Sequence, residues 1–147
     1  MAEEQLVVFG LGKEEYAVAI SQVKEIILYS GATQLPNTPE YMEGIINLRG
    51  KVIPVIDLAL RLKVPAQKEI NKRALIIETT GQEIGIVVDE VTEVIRIQDT
   101  AIEPSPAVGT NNAYIRGIGK DGDRLLILLD VGLLFGEKDL EAIAKPG

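Results

Sequence analysis

Two halves of this chain carry one pattern. Leu6-Val7-Val8 returns as Leu75-Ile76-Ile77 at an offset of 69 residues. Glu15, Tyr16, Val18, Ile20, Ser21, Val23, Glu25, Ile26 and Ile27 return as Glu83, Ile84, Ile86, Val88, Asp89, Val91, Glu93, Val94 and Ile95 at an offset of 68. Val52-Ile53-Pro54-Val55-Ile56-Asp57-Leu58 returns as Leu125-Leu126-Ile127-Leu128-Leu129-Asp130-Val131 at an offset of 73. Repetition of several extended segments in one order points to a duplicated structural unit. The growth of the offset predicts a second hairpin, around Lys120-Asp121-Gly122-Asp123, that is longer than Arg49-Gly50-Lys51.

The repeated segments are rich in Ile, Val and Leu and alternate with polar residues, as half-buried strands do. The first half, 5–62, predicts strands at 5–11, 15–20, 26–31, 45–49 and 52–56. The second, 73–135, predicts them at 73–80, 83–88, 94–98, 114–119 and 124–129. Ser21 reads as the cap of one helical turn over 22–26, with Asp89 as its counterpart. Asp57 and Asp130 precede apolar helical patterns and read as N-caps, while Gly50 and Gly122 read as turn glycines. Segments 31–40 and 99–113 are proline-bearing connectors, and 63–72 joins the halves. A final amphipathic helix is expected within 136–147. Five short strands leave exposed edges unless the sheet curls, so the expectation is all-β: two small five-stranded barrels packed side by side.

The residue inventory removes much chemistry. The 147 residues contain no Cys and no His. Thiolate nucleophiles, disulfides, sulfur metal sites and histidine triads are therefore excluded. With 15 Lys+Arg against 22 Asp+Glu the net charge is −7, opposite to a general nucleic-acid or polybasic membrane binder. No apolar run approaches the length of a membrane span, and no targeting peptide is visible. Neither a cofactor nor a metal is expected.

Local motifs that hint at chemistry have simpler readings. Gly117-Ile118-Gly119-Lys120-Asp121-Gly122 has GxGxxG spacing, but it leads into a hairpin instead of a helix, so it does not read as a dinucleotide site. Asp121 and Asp123 flank a turn glycine without the remaining ligands of a calcium loop. Ser21-Gln22-Val23-Lys24 matches SxxK literally but lacks the companion motifs. Glu14-Glu15, and Glu90 with Glu93 on one helical face, read as solvated acids. A small carboxylate-based enzyme stays open as a remote alternative. Arg49, beside a hairpin glycine, is suited to fork a carboxylate, and Glu25 is its expected partner.

Asn47-Leu48-Arg49-Gly50 followed by Val52-Ile53-Pro54-Val55-Ile56-Asp57-Leu58 resembles the CheW family of bacterial chemotaxis coupling proteins. Tyr16-Ala17-Val18-Ala19-Ile20, Val23-Lys24-Glu25-Ile26, the proline-rich connector and Gly85-Ile86-Val87-Val88-Asp89 extend the likeness over nearly the whole chain, 1–147. The resemblance implies two SH3-like barrels, between which strands near the junction can cross, and no enzymatic activity. It implies an adaptor that joins the cytoplasmic tip of methyl-accepting chemoreceptors to the regulatory domain of the histidine kinase CheA. The expected location is the cytoplasm, at receptor arrays on the inner face of the membrane, without insertion into it. The family's receptor-facing groove maps to Val23, Glu25, Ile26, Gly44 and Arg49. Kinase contacts are implied at the ends of both barrels, with no residue assigned. An isolated regulatory domain of a chemotaxis kinase is the alternative reading.

Overall fold

The apolar alternation becomes eleven strands in a computed structural model that describes residues 2–65, 72–79, 81–104 and 114–135. They are β1 (Glu3–Leu11), β2 (Glu14–Ala19), β3 (Val23–Leu28), β4 (Met42–Leu48), β5 (Lys51–Asp57), β6 (Arg73–Thr79), β7 (Gln82–Val88), β8 (Glu90–Gln98), β9 (Ile102–Glu103), β10 (Ile115–Asp121) and β11 (Arg124–Leu129). They form a six-stranded sheet in the order β8-β1-β2-β11-β10-β9 and a five-stranded sheet in the order β3-β6-β7-β5-β4. Each sheet takes strands from both halves of the sequence. The β1–β2 hairpin joins β8–β11, and the β6–β7 hairpin joins β3–β5. Each hairpin is held by one parallel pair, β2 with β11 or β5 with β7, and one antiparallel pair, β1 with β8 or β3 with β6; all the other pairings are antiparallel.

The expectation of two closed five-stranded barrels is overturned. Among the described residues neither ladder closes, so β8 and β9 remain edges of one sheet and β3 and β4 edges of the other. The edges are managed by other means than closure. β9 is only two residues long, and β3 and β8 carry Lys24, Glu25, Glu93 and Arg96. The β4 edge is partly covered by the connector, through one isolated bridge between Thr33 and Ile45.

Helical content also falls short of expectation. The described residues hold one short α-helix, α1 (Leu58–Leu62), and three single 3₁₀ turns at Ile20–Gln22, Asp99–Ala101 and Val131–Leu133. Asp57 caps α1 by accepting from the Leu60 amide, and Asp130 accepts from the Gly132 amide. The turn expected over 22–26 is instead Ile20–Gln22, which has no side-chain cap, and Val23 already begins β3. β-Branched Val23, Ile26 and Ile27 favour extension over a helical turn there. Asp89 caps nothing helical. It is buried, and its Oδ2 accepts from the Gly12 amide at 2.9 Å. Glu90 and Glu93 lie on β8, not on a helical face. The expected C-terminal helix lies outside the described residues.

Burial explains the arrangement. Along β1, Leu6 and Val8 enter one cluster with Ala17, Leu126 and Leu128 inside the six-stranded sheet. Val7 and Phe9 point the other way, into a larger cluster that also contains Leu75, Ile77, Ile84 and Ile86 of the five-stranded sheet. A third, smaller cluster gathers Val55, Ala74 and Val87. Each sheet thus curls over its own minor core while sharing the major one. This is why β1, β6 and β7 read as continuous apolar runs, buried on both faces.

Candidate functional site

The Asn-Leu-Arg-Gly run makes a two-residue hairpin between β4 and β5, and the β10–β11 turn is also two residues long, so the longer second hairpin expected from the offsets is not found. Arg49 sits at φ 51° and Gly50 at φ 87°, the left-handed pair that matches strand twist. Asn47 Oδ1 accepts from the Gly50 amide at 2.9 Å and fixes the turn. Glycine adopts this geometry freely, but arginine is strained by it. The strained side chain projects across the gap to β3. There its Nη1 donates to Glu25 Oε2 at 3.1 Å and its Nη2 donates to Glu25 Oε1. The guanidinium holds the Glu25 carboxyl below its usual range, and the carboxylate in turn raises Arg49. An exposed pair of this kind contributes little stability, so its effect is geometric: it ties the free edge of β3 to the free edge of β4.

A second tie stands at the other end of the gap. The Tyr29 hydroxyl donates to Glu43 Oε1 at 2.9 Å, and burial followed by that acidic partner pushes the phenol upward. Between the ties lies a cleft of about 490 Å³, lined by residues 27–33 and 45–48. Beside it, and sharing Leu48, is a charged hollow of about 410 Å³ formed by Lys24, Glu25, Leu48, Arg49, Lys51 and Glu83. Glu83 bridges Lys51 at 2.8 Å and Lys24 at 3.3 Å; hydrogen bonding to Lys51 and then to Lys24 lowers its carboxyl.

The five residues expected to share one groove divide between two faces. A bulge between Val23 and Glu25 sets the register, with Val23 opposite Ile77, Glu25 opposite Ile76 and Ile26 opposite Leu75. Ile77 and Leu75 belong to the major core, so Val23 and Ile26 lie on the face of β3 that turns toward the other sheet. Val23 is half-buried there and Ile26 is 39% exposed. Glu25 lies on the opposite face with Ile27 and meets Arg49. Gly44 serves the seam from below. At φ 144° its hydrogen faces the connector, and a Cβ would lie 2.1 Å from the Thr33 carbonyl oxygen. Only glycine lets the connector lie along β4.

Residues to which the sequence reading assigned no binding role repeat this design in the second half. The β8 bulge falls between Val91 and Glu93, 68 residues beyond its β3 counterpart. Arg124 takes the place of Lys51 and pairs with Glu93 at 2.9 Å and Glu15 at 3.4 Å. Gly117 takes the place of Gly44, and a Cβ there would meet the Glu103 carbonyl at 2.3 Å. The GxGxxG run is therefore a strand glycine pair, with Gly117 and Gly119 on β10 and Gly122 in the turn at φ 65°. Val52 and Leu125 are also repeat mates, each one residue into the second strand of its hairpin, and they are 67% and 62% exposed. The offsets of 68 and 73 were sufficient to find all of these pairs.

Among the described residues no cluster of three or more acidic side chains is placed to hold a metal ion, and no helix is long and apolar enough to cross a membrane.

Comparison with known proteins agrees with this architecture. The chain is 42% identical over 130 residues to the chemotaxis protein CheW of Helicobacter pylori, covering 86% of this chain and 78% of the relative. It is 34% identical over 143 residues to a probable chemotaxis protein CheW of Rhizobium etli, covering 95% and 92%. The crystal structure of the scaffolding protein TtCheW from Thermoanaerobacter tengcongensis superposes with a TM-score of 0.86 at 40% identity, over 95% of this chain and 92% of that one. A family model described as CheW-like domain matches residues 5–139. With the repeated bulges and the Asn-Leu-Arg-Gly hairpin accounted for, the chain belongs to the CheW family.

Proposed function

We propose that the β3–β4 seam, together with the apolar side chains on the inward face of β3, is where this chain takes the cytoplasmic tip of a chemoreceptor. As a CheW-type protein the chain is a non-catalytic adaptor that couples chemoreceptors to the histidine kinase CheA. In this reading Val23 and Ile26 supply desolvated area to a receptor helix, and Arg49, held by Glu25, orients a polar group at its rim. Gly44 acts indirectly by keeping the connector close to β4. The exposed hairpin positions Val52 and Leu125 take the regulatory domain of the kinase, one on each sheet. The protein works in the cytoplasm, at receptor arrays.

One observation carries the assignment of the seam: Arg49 occupies a left-handed position that asparagine or glycine would fill with less strain. The strained side chain is also 70% exposed at the hairpin tip, which supports a role at the surface beyond tying the two strands. The test replaces Arg49 by Asn. Its melting temperature should equal or exceed that of the parent, while affinity for a purified receptor signalling fragment falls at least tenfold and affinity for the kinase regulatory domain stays within twofold. Retained receptor affinity would remove Arg49 from the docking surface. A separate titration of Val52→Asp and Leu125→Asp against the kinase regulatory domain should show loss for each variant with receptor binding intact.

A further inference from the structure

We propose that Arg61 is a positioning residue that clamps the two sheets at one relative orientation, so that occupancy at the β3 seam is felt at the far hairpin. The inference rests on the coupling role proposed above. Arg61 lies in α1, directly after β5 of the five-stranded sheet. Its guanidinium carbon stands 5.7 Å from the Tyr41 ring centroid, 5.8 Å from Tyr114 and 5.7 Å from Phe135. Its Nη2 donates to the Leu134 carbonyl. Tyr114 and Phe135 bracket β10 and β11 of the six-stranded sheet, whereas Tyr41 leads into β4 of the other. One planar cation thus faces three rings and bonds a carbonyl on segments that flank both sheets.

The setting is nearly two-fold symmetric, and Arg61 breaks the symmetry. Tyr41 and Tyr114 are mates at the 73-residue offset. Their carbonyls make matching bonds, accepting from the Asp57 and Asp130 amides at 2.8 Å each. The mate of Arg61 itself is Leu134, which is fully buried. A second leucine would fill comparable space, but it could neither stack on rings nor bond the opposite carbonyl. Arginine does both at once. Lysine retains the charge without the flat, forked donor set. A group that joins segments flanking both sheets is well placed to govern the angle between them.

The chain has no cysteine, so spin labels can be placed at two exposed sites, Ser30→Cys beside the seam and Asp123→Cys at the β10–β11 turn. Interspin distances are then measured with Arg61, Arg61→Lys and Arg61→Met. The parent should give one narrow distribution, and the width should increase in the order Arg, Lys, Met. In parallel, each Arg61 variant, without the cysteine substitutions and labels, is titrated with receptor fragment alone, with kinase regulatory domain alone, and with both. Binary affinities should stay within twofold while the cooperativity of the ternary complex falls at least fivefold for Arg61→Met and less for Arg61→Lys. An unchanged distance distribution in Arg61→Met overturns the clamp. So does a broadened distribution with cooperativity intact. If the parent binds neither partner, the coupling reading fails on its own, and the distance measurement still decides whether Arg61 sets the angle.

Discussion

Replacing Gly44 by alanine isolates the close approach that shapes the seam. The new Cβ would lie 2.1 Å from the Thr33 carbonyl oxygen, where real side chains stay beyond 3.0 Å, so the connector must retreat by roughly 0.9 Å. That displacement breaks the reciprocal pair in which the Thr33 amide donates to Ile45 and the Ile45 amide donates to Thr33, both at 2.9 Å. Two such bonds are worth about 2 kcal/mol net. Holding alanine at positive φ adds about 1–2 kcal/mol. The expected loss is therefore about 3–4 kcal/mol, or a fall in melting temperature of roughly 6–16 °C for a chain of this size. Gly50→Ala is the internal control: its φ is 87°, yet nothing lies within 4 Å of the added carbon. It should lose only the backbone share, about 1–2 kcal/mol. Urea titrations of both variants, with slopes compared, provide the assay. If Gly44→Ala and Gly50→Ala agree within about 0.5 kcal/mol, the steric account of the seam is wrong, since measured differences of that size mark no specific mechanism.

Other outcomes follow from the same structure. Phe9→Ala empties the middle of the major core, where Phe9 is fully buried, and should cost about 3–5 kcal/mol by urea denaturation. Asp57→Ala and Asp130→Ala each remove a cap and should cost about 1 kcal/mol; the Asp130 variant also strands Gln22 Nε2, which donates to it at 3.2 Å, and should be the more damaging. Because Arg49 depresses the Glu25 carboxyl, the tie is present above the usual glutamate value of 4.5 and is lost as pH falls through the lower, folded value. Receptor-fragment affinity should therefore be flat from neutral pH down to that usual value and decline only below it. Carboxyl carbon shifts of Glu25 should show the depressed midpoint, and Arg49→Met should return it upward. A Glu25 midpoint at 4.5 in the parent would contradict the pairing.

Local pattern was enough to locate most strands, because alternation and β-branched runs report burial on one or both faces. The segments 5–11, 83–88 and 124–129 fall on β1, β7 and β11. The Glu25–Arg49 pair was also legible, since an arginine beside a hairpin glycine can fork a carboxylate of the same repeat, although Glu25 reaches it from β3 and not from the expected helical turn. What sequence could not settle was closure. Whether β3 pairs with β4 depends on the path of the connector, and the Thr33–Ile45 bridge takes up part of that edge. The two β-bulges were equally hidden. One inserted residue at Lys24, and another at Thr92, reverses which side chains share a face. Val23 and Glu25, two apart, would otherwise lie together. The clamp at Arg61 depends on residues far apart in the chain, Tyr41, Tyr114 and Phe135, that no local window unites.

The exchange of hairpins between sheets fixes how such a chain can be made. β1 and β2 are made before their outer neighbours β8 and β11, and Val18 must wait for Leu129 before that parallel ladder forms. The nascent β1–β2 hairpin therefore has both margins bare until β8 and β11 emerge, which makes its folding dependent on distant partners. The same geometry constrains ancestry. A chain with one repeat would have had no strands to complete its own sheets, so a single-repeat ancestor could reach this arrangement only by trading hairpins with a second copy.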